Sequence, residues 1–182
     1  MLGVRLSRIS YCDGVNDKYR PMSFSLETER LFLQLRSRDD ASWNLELKGE
    51  HEGGTTLTLD EERQRLVDQE ISARENGIGF LTIHRKAEGD AIGYCGLLIG
   101  RCSFDEPEIA FELLRRFHGH GYATEAASIV LDAAHATGRS RLWSTVRSWN
   151  APSLRVLEKI GFNRDHSVND EHGEIVYMVH DA

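Results

Sequence analysis

A chain of 182 residues with 40% hydrophobic content holds enough apolar sequence for one globular core and too little length for two comfortable ones. Its formal net charge of -7 argues against general binding to nucleic acid, where a basic footprint is expected, and only mildly favours a cationic partner. No apolar run approaches the roughly 18 residues of a membrane span, the N-terminus lacks a secretory apolar stretch, and Cys12, Cys95 and Cys102 lack disulfide or metal spacing; a cytoplasmic protein without membrane partners is expected.

Residues 1–22 are polar, carry Gly14 and Pro21, and read as an N-terminal extension, poorly ordered, ahead of a domain spanning 23–182. A strand starts in "TERLFLQLR", where Leu31, Leu33 and Leu35 alternate with Phe32, Gln34 and Arg36. "RDDASWNLEL" predicts a short helix capped by Asp39 or Asp40. Thr58, with Glu61 three positions on, has the spacing of a capping box, and Leu59, Leu66, Val67 and Ile71 keep near-helical spacing. The helix they predict ends near Asn76 and Gly77.

Two strands follow, "GFLTIHRK" and "AIGYCGLLIG", joined by "AEGD". In a third, "PEIAFELL", Ile109, Phe111 and Leu113 alternate with Glu108, Ala110 and Glu112, and the short connections predict an antiparallel meander. A helical pattern runs from Gly121 to Ala136 and stops at "TGR". Then come a strand, "RLWSTVRSW", a capped helix, "NAPSLRVLEKIGF", and a closing strand, "EIVYMVH". This late strand, helix, strand order allows a parallel crossover in a mixed sheet, and the elements together predict an α/β fold.

The stretch "LLRRFHGHGYATEAA", from Leu113 to Ala127, is a glycine-broken turn between a strand and a helix. Such a turn can hold an anion, because first-turn amides lack intrahelical partners and glycine lets a ligand approach the backbone. No Gly-Lys-Ser or Gly-Lys-Thr follows, so it is not a P-loop. Thr124 stands where a dinucleotide fingerprint needs its third glycine. His118 and His120 lie two apart without a partner ligand set, so no metal is expected. Cys95 reads as a buried strand residue, and Trp143 and Trp149 as core or cleft wall.

"RFHGHG" resembles the R/Q-x-x-G-x-G/A signature of the GCN5-related N-acetyltransferases (GNAT), with Arg116, Gly119 and Gly121 at its diagnostic positions. "EIAFELLRRFHGHGYATEAA" is similar to the branch containing the ribosomal-protein acetyltransferases RimJ and RimL. So is the later "RLWSTVRSWNAPSLRVLEKIGF", and the resemblance covers roughly residues 24 to 180. It implies the GNAT fold, a mixed, mostly antiparallel sheet flanked by helices, with splayed strands at the acetyl-CoA cleft.

Carried over residue by residue, the resemblance implies pyrophosphate-binding amides among His118, Gly119, His120, Gly121, Tyr122 and Ala123. It implies main-chain contacts to the pantetheine near Leu113 and Leu114, an Arg116 that faces the phosphates or braces the loop, and an Asn150 that bonds the pantetheine besides capping its helix. The implied reaction is acetyl transfer from acetyl-CoA to a primary amine, on a protein N-terminus or a small molecule, by direct attack in a ternary complex without metal, by a monomer or homodimer.

The amine must first lose a proton; Glu108 is the first choice of base and Glu112 the second, on the same face of the strand unless a bulge intervenes. Leu157 occupies the position where much of the wider family has an acidic tyrosine, and Ser153 is the substitute that the RimJ and RimL branch implies. The alternative is a non-catalytic CoA-binding or interaction module with the same fold.

Overall fold

The computed structural model describes residues 18–51 and 53–182, so most of the expected extension, residues 1–17, lies outside the described residues. Its last residues are fastened to the domain: the Arg20 amide donates to Thr137 O at 2.9 Å and the Met22 amide to Gly77 O at 2.8 Å, and Met22 is buried.

Eight strands of the described residues form one sheet: β1 (Ser25–Glu27), β2 (Leu31–Leu35), β3 (Phe80–Arg85), β4 (Ala91–Leu98), β5 (Glu108–Leu113), β6 (Arg141–Arg147), β7 (Asn163–Asp170) and β8 (Gly173–Asp181). Their spatial order is β1-β2-β3-β4-β5-β6-β8-β7. Among the described residues four α-helices flank it: α1 (Ala41–Gly49), α2 (Leu59–Asn76), α3 (Tyr122–His135) and α4 (Ala151–Lys159).

The period-two patterns resolve as expected. Leu31, Leu33, Leu81, Ile83, Ile92 and Ile109 turn into one core, against which α3 lays the small residues Ala126, Ala127 and Ala134 beside Val130. Small side chains on that helix face let it lie close to the sheet. Leu47 and Leu66, buried outside that core, belong to the α1 and α2 pair.

Thr58 and Glu61 form the expected capping box, and Gly77 ends α2 in the left-handed conformation. At the first helix Asp40 holds the N-cap position, as expected, but its side chain makes no cap bond to α1 and serves the single turn just before it, residues 38–40. Ser37 accepts from the Asp39 amide, and Asp40 closes the box on the Ser37 backbone while accepting the Trp43 indole N–H at 2.8 Å. An acidic side chain at the third helical position serves the cap as well as one at the cap itself.

The parallel crossover also falls elsewhere than the strand order suggests. Strand β7, exposed at every residue, lies between α4 and β8 in the chain, so β8 meets β6 antiparallel. Among the described residues the one parallel neighbour pair is β5 and β6, joined through α3, and it has a single bridge, Glu108 with Trp143. Beyond that bridge the strands part, as the GNAT resemblance implies.

One contact between α3 and β8 makes the fold sensitive to acid. His135 Nδ1 faces Arg139 O at 2.8 Å, so that nitrogen carries the proton, and His135 Nε2 accepts from His180 Nδ1 at 3.0 Å. Burial, and then the neighbouring His135, hold His180 below its ordinary value of 6.5. Neutral His180 therefore contributes stability that is full above pH 6.5 and is lost as the pH falls through that value toward the depressed one. Urea unfolding of the wild type should weaken from pH 7 to pH 5 more than that of His180→Gln, which keeps an amide donor for His135. Parallel pH dependences would remove the pair from the account.

Candidate functional site

The parting of β5 from β6 leaves backbone groups without a ladder. Leu114 N–H donates to Ile92 O at 3.0 Å, which places the even-numbered positions of this stretch toward β4 and the odd-numbered ones toward β6. At the closed end the odd carbonyls are used: Pro107 O accepts the Trp143 amide at 3.0 Å and Ile109 O accepts Ser144 Oγ at 2.9 Å. Further along, the Phe111 main chain and the Leu113 N–H face the opening. Leu114, expected beside Leu113 as a cofactor contact, is fully committed, since its carbonyl also accepts the Phe117 amide at 2.9 Å and the residue is buried.

A cavity of about 740 Å³ occupies this opening, within the size range of small-molecule clefts. Phe111, Glu112 and Leu113 of β5 form one wall. The turn from His118 to Thr124 forms its end, and Asn150, Ser153, Arg155 and Lys159 of α4 and its cap form the other wall.

Gly119 and Gly121 hold φ of 81° and 82°, left-handed values open to glycine at little cost, and Gly121 is the N-cap of α3 with no side chain to fill the cap. Among the described residues, the amides of Gly119, His120, Gly121, Tyr122, Ala123 and Thr124 donate to no protein group. Six unpartnered N–H groups at a helix N-terminus make an anion cradle.

The His118 amide is not part of it, being taken by Arg115 O at 3.0 Å. The His118 ring instead reaches back to Leu113 O at 2.8 Å, and His120 leaves the cavity wall, its carbonyl accepting Arg30 Nη1 at 3.0 Å. The two histidines frame the turn and do not converge. Among the described residues, no group of three or more His, Cys, Asp or Glu is placed to hold a metal ion.

Arg116 points away from the cavity. It pairs with Glu46 of α1, and its guanidinium carbon lies 4.9 Å from the Phe117 ring centroid, so it braces the turn. The cations on the cavity wall are Arg115, Arg155 and Lys159. The last two escaped the sequence reading; their legible signal is the spacing of Pro152, Arg155, Val156 and Lys159 along one face of α4.

The two candidate carboxylates are separated in role as well as in space. The β4–β5 register runs without a bulge, so Glu108 and Glu112 share a strand face about 13 Å apart. Glu108 is 5% exposed, lies outside the cavity wall, and has both oxygens engaged, by the Arg101 amide and by Thr145 Oγ1 at 2.6 Å. Glu112 is on the wall. Its Oε2 accepts the Tyr94 hydroxyl at 3.1 Å, and its Oε1 lies 2.6 Å from His51 Nε2. Burial, and then the nearby Glu112, push the Tyr94 phenol above its usual range, so it stays a proton donor.

On α4, Asn150 Oδ1 accepts the Ser153 amide at 3.3 Å, which is the expected cap, and both residues line the cavity. Leu157 is buried in the core and carries no group that could give up a proton. Burial pushes the Cys95 thiol well up. Trp149 is 74% exposed, and Trp143 donates to Glu106 at 2.8 Å outside the cavity. Among the described residues, no helix is long and apolar enough to cross a membrane.

The site is a cleft between parted parallel strands that leads to a glycine-capped row of free amides. Residues 19–163 match the acetyltransferase (GNAT) domain, and the chain belongs to that family. Two curated relatives from Bacillus subtilis (strain 168) are similar to it. YkkB, uncharacterized, is 29% identical over 50% of this chain and 55% of its own length, so the match spans about half of that protein. The probable N-acetyltransferase YjcK is 26% identical over 80% of each chain.

Among solved structures, a protein from Bordetella pertussis assigned to the GNAT acetyltransferases superposes with TM-score 0.75 at 24% identity, covering 85% of this chain and 98% of that one. The ribosomal-protein-S5-alanine acetyltransferase of Vibrio fischeri gives 0.72 at 18% identity, covering 87% and 97%. YncA of Salmonella typhimurium, assigned as an acetyltransferase and solved with its cofactor acetyl-CoA, gives 0.69 at 18% identity, covering 84% and 94%. These likenesses show the fold.

Proposed function

We propose that the protein is an acetyl-CoA-dependent N-acetyltransferase acting on a primary amine. The observation that carries this reading is the continuity of the gap-facing backbone at Phe111 and Leu113 with six unpartnered amides at Gly119 to Thr124. That row fits a molecule with an extended polar arm and a pyrophosphate, and YncA, with the same fold, holds acetyl-CoA. Bound there, acetyl-CoA would supply an acetyl group activated as a thioester.

The protein's own groups divide the remaining work. The turn amides hold the phosphates, with Arg155 and Lys159 adding positive charge at the wall. The Phe111 and Leu113 main chain aligns the arm as a strand would, and the Leu113 N–H is the donor nearest to a developing oxyanion. Glu112 takes the proton that the ammonium form of the acceptor must lose; this role moves from Glu108 to Glu112 because Glu112 alone of the pair borders the cavity. Ser153 offers its hydroxyl to the departing thiolate, and Asn150 holds the arm beside it.

The acceptor class follows the RimJ and RimL resemblance, with a protein N-terminus or a small amine as substrate. Calorimetric titration with acetyl-CoA should show one site. A panel of amines and basic N-terminal peptides, read by mass spectrometry of the products, should yield acetylated amine. Binding without product across that panel would replace the enzyme by a CoA-binding module.

A further inference from the structure

Behind Glu112 runs a buried polar chain that the cavity itself does not use. Arg36, one residue past β2, is 6% exposed, and burial holds its guanidinium below its usual range. Its Nη2 donates to Asn44 Oδ1 of α1 at 2.8 Å, and its Nε is buried with no hydrogen-bond partner. Its guanidinium carbon sits 4.7 Å from the Tyr94 ring centroid, 5.7 Å from Phe80 and 5.8 Å from Trp43. Asn44 donates onward to Glu62 of α2, which also takes Lys48 and, at 3.0 Å, Arg65. Asn44 and Glu62 are each 1% exposed.

Burying a cation costs several kcal/mol, on the order of what a whole contact network returns, and an apolar side chain would fill this position more cheaply. The placement makes sense through Tyr94. Arg36 lies against the ring, Phe80 meets the ring edge-on at 5.0 Å, and the hydroxyl at its far end is the one donated to Glu112. Swinging Tyr94 off Glu112 would break the cation–π and edge contacts together. The other Glu112 oxygen belongs to His51, which follows α1 by two residues. Both oxygens are thus referred to α1, one through Asn44 and Arg36, the other through His51.

We infer that Arg36 and Tyr94 are positioning residues, and that the chain Glu62, Asn44, Arg36, Tyr94 ties the α1 and α2 pair to the orientation and charge state of Glu112. This rests on Glu112 as proton acceptor and adds a connection from the helices to that carboxylate. The titratable and charged groups about Glu112 are Tyr94 from β4, Arg36 behind it, His51 and Glu50 after α1, and Arg115 and His118 of the turn. Of these, the Tyr94 hydroxyl donates to the carboxylate directly and Arg36 reaches it only through the Tyr94 ring, so the two variants should act on Glu112 in that order of size.

The test is the titration of the Glu112 carboxyl carbon by NMR in the full chain labelled at glutamate, with the resonance assigned by its disappearance in Glu112→Gln. Tyr94→Phe keeps the ring and its packing and should raise the Glu112 midpoint by about one pH unit. Arg36→Met should raise it by less. In kinetics, the acid limb of kcat/KM should move up by the same amounts while acetyl-CoA affinity stays at the wild-type value.

An unchanged midpoint in Tyr94→Phe overturns the chain, even if Arg36→Met fails to fold. Full turnover in Glu112→Gln overturns instead the role of Glu112 as proton acceptor; a raised midpoint in Tyr94→Phe would then still support the positioning.

Discussion

Glu112→Gln should lower kcat by about a hundredfold or more at neutral pH while leaving acetyl-CoA binding intact, because it removes a proton acceptor and nothing that the cofactor touches. The amide is isosteric with the carboxylate and can still accept from the Tyr94 hydroxyl, so the site keeps its shape. What it loses is the capacity to take a proton from the acceptor, and the deficit should persist at every pH at which the enzyme is folded.

Glu108→Gln is the matched control. Its two oxygens accept from the Arg101 amide and the Thr145 hydroxyl, so a glutamine there keeps its carbonyl for the amide and turns its NH₂ to Thr145, whose hydroxyl must change from donor to acceptor. The expected result is a stability loss of roughly 1 to 3 kcal/mol by urea unfolding, with turnover retained. A collapse of kcat in Glu108→Gln at unchanged stability, with normal kcat in Glu112→Gln, would return the role to Glu108.

That contrast also shows where the sequence stopped being informative. Alternation in "PEIAFELL" places both glutamates on one face, and the structure agrees. It does not say which end of the strand opens onto a cavity, because the opening is made by the parting of β5 from β6, a relation between segments some thirty residues apart in the chain. His51 and Tyr94, which hold Glu112, were invisible for the same reason: a histidine in "GEHEGG" and a tyrosine in "GYCG" have no local sign of meeting.

Features written into a few consecutive residues were legible. The Thr58 and Glu61 box, the Gly77 stop, the Asn150 cap and the glycine turn each depend on backbone needs satisfied within one turn. Strand β7 was not legible, since "NRDHSVND" lies at the sheet edge with no buried face to impose an apolar alternation. The main-chain roles divided similarly. The resemblance named Leu113 and Leu114 together, but adjacent strand residues point their amides in opposite directions, and only Leu113 can face the gap.

The double variant Gly119→Val, Gly121→Val should weaken acetyl-CoA binding by about a hundredfold without unfolding the protein. Each residue sits at a left-handed φ, 81° and 82°, where a β-branched side chain costs on the order of 1 to 2 kcal/mol, and two such costs approach the 2.7 kcal/mol of a hundredfold change. The surroundings would not resist the new side chains. A Cβ at Gly119 meets nothing within 4 Å, and one at Gly121 meets only Arg30 Nη2 at 3.5 Å, an ordinary contact.

The strain is therefore relieved where it arises, by the turn leaving its left-handed conformation. The six amides from Gly119 to Thr124 then no longer converge on one anion. This is a cleaner test than adding a charge at Gly121, since a glutamate there would lie beside Arg30 and be drawn to it. Calorimetry with acetyl-CoA measures the loss directly, and circular dichroism checks that α3 remains. Wild-type affinity in the folded double variant would mean that the phosphates are held by the Arg155 and Lys159 side of the cleft and that the glycine turn only joins β5 to α3.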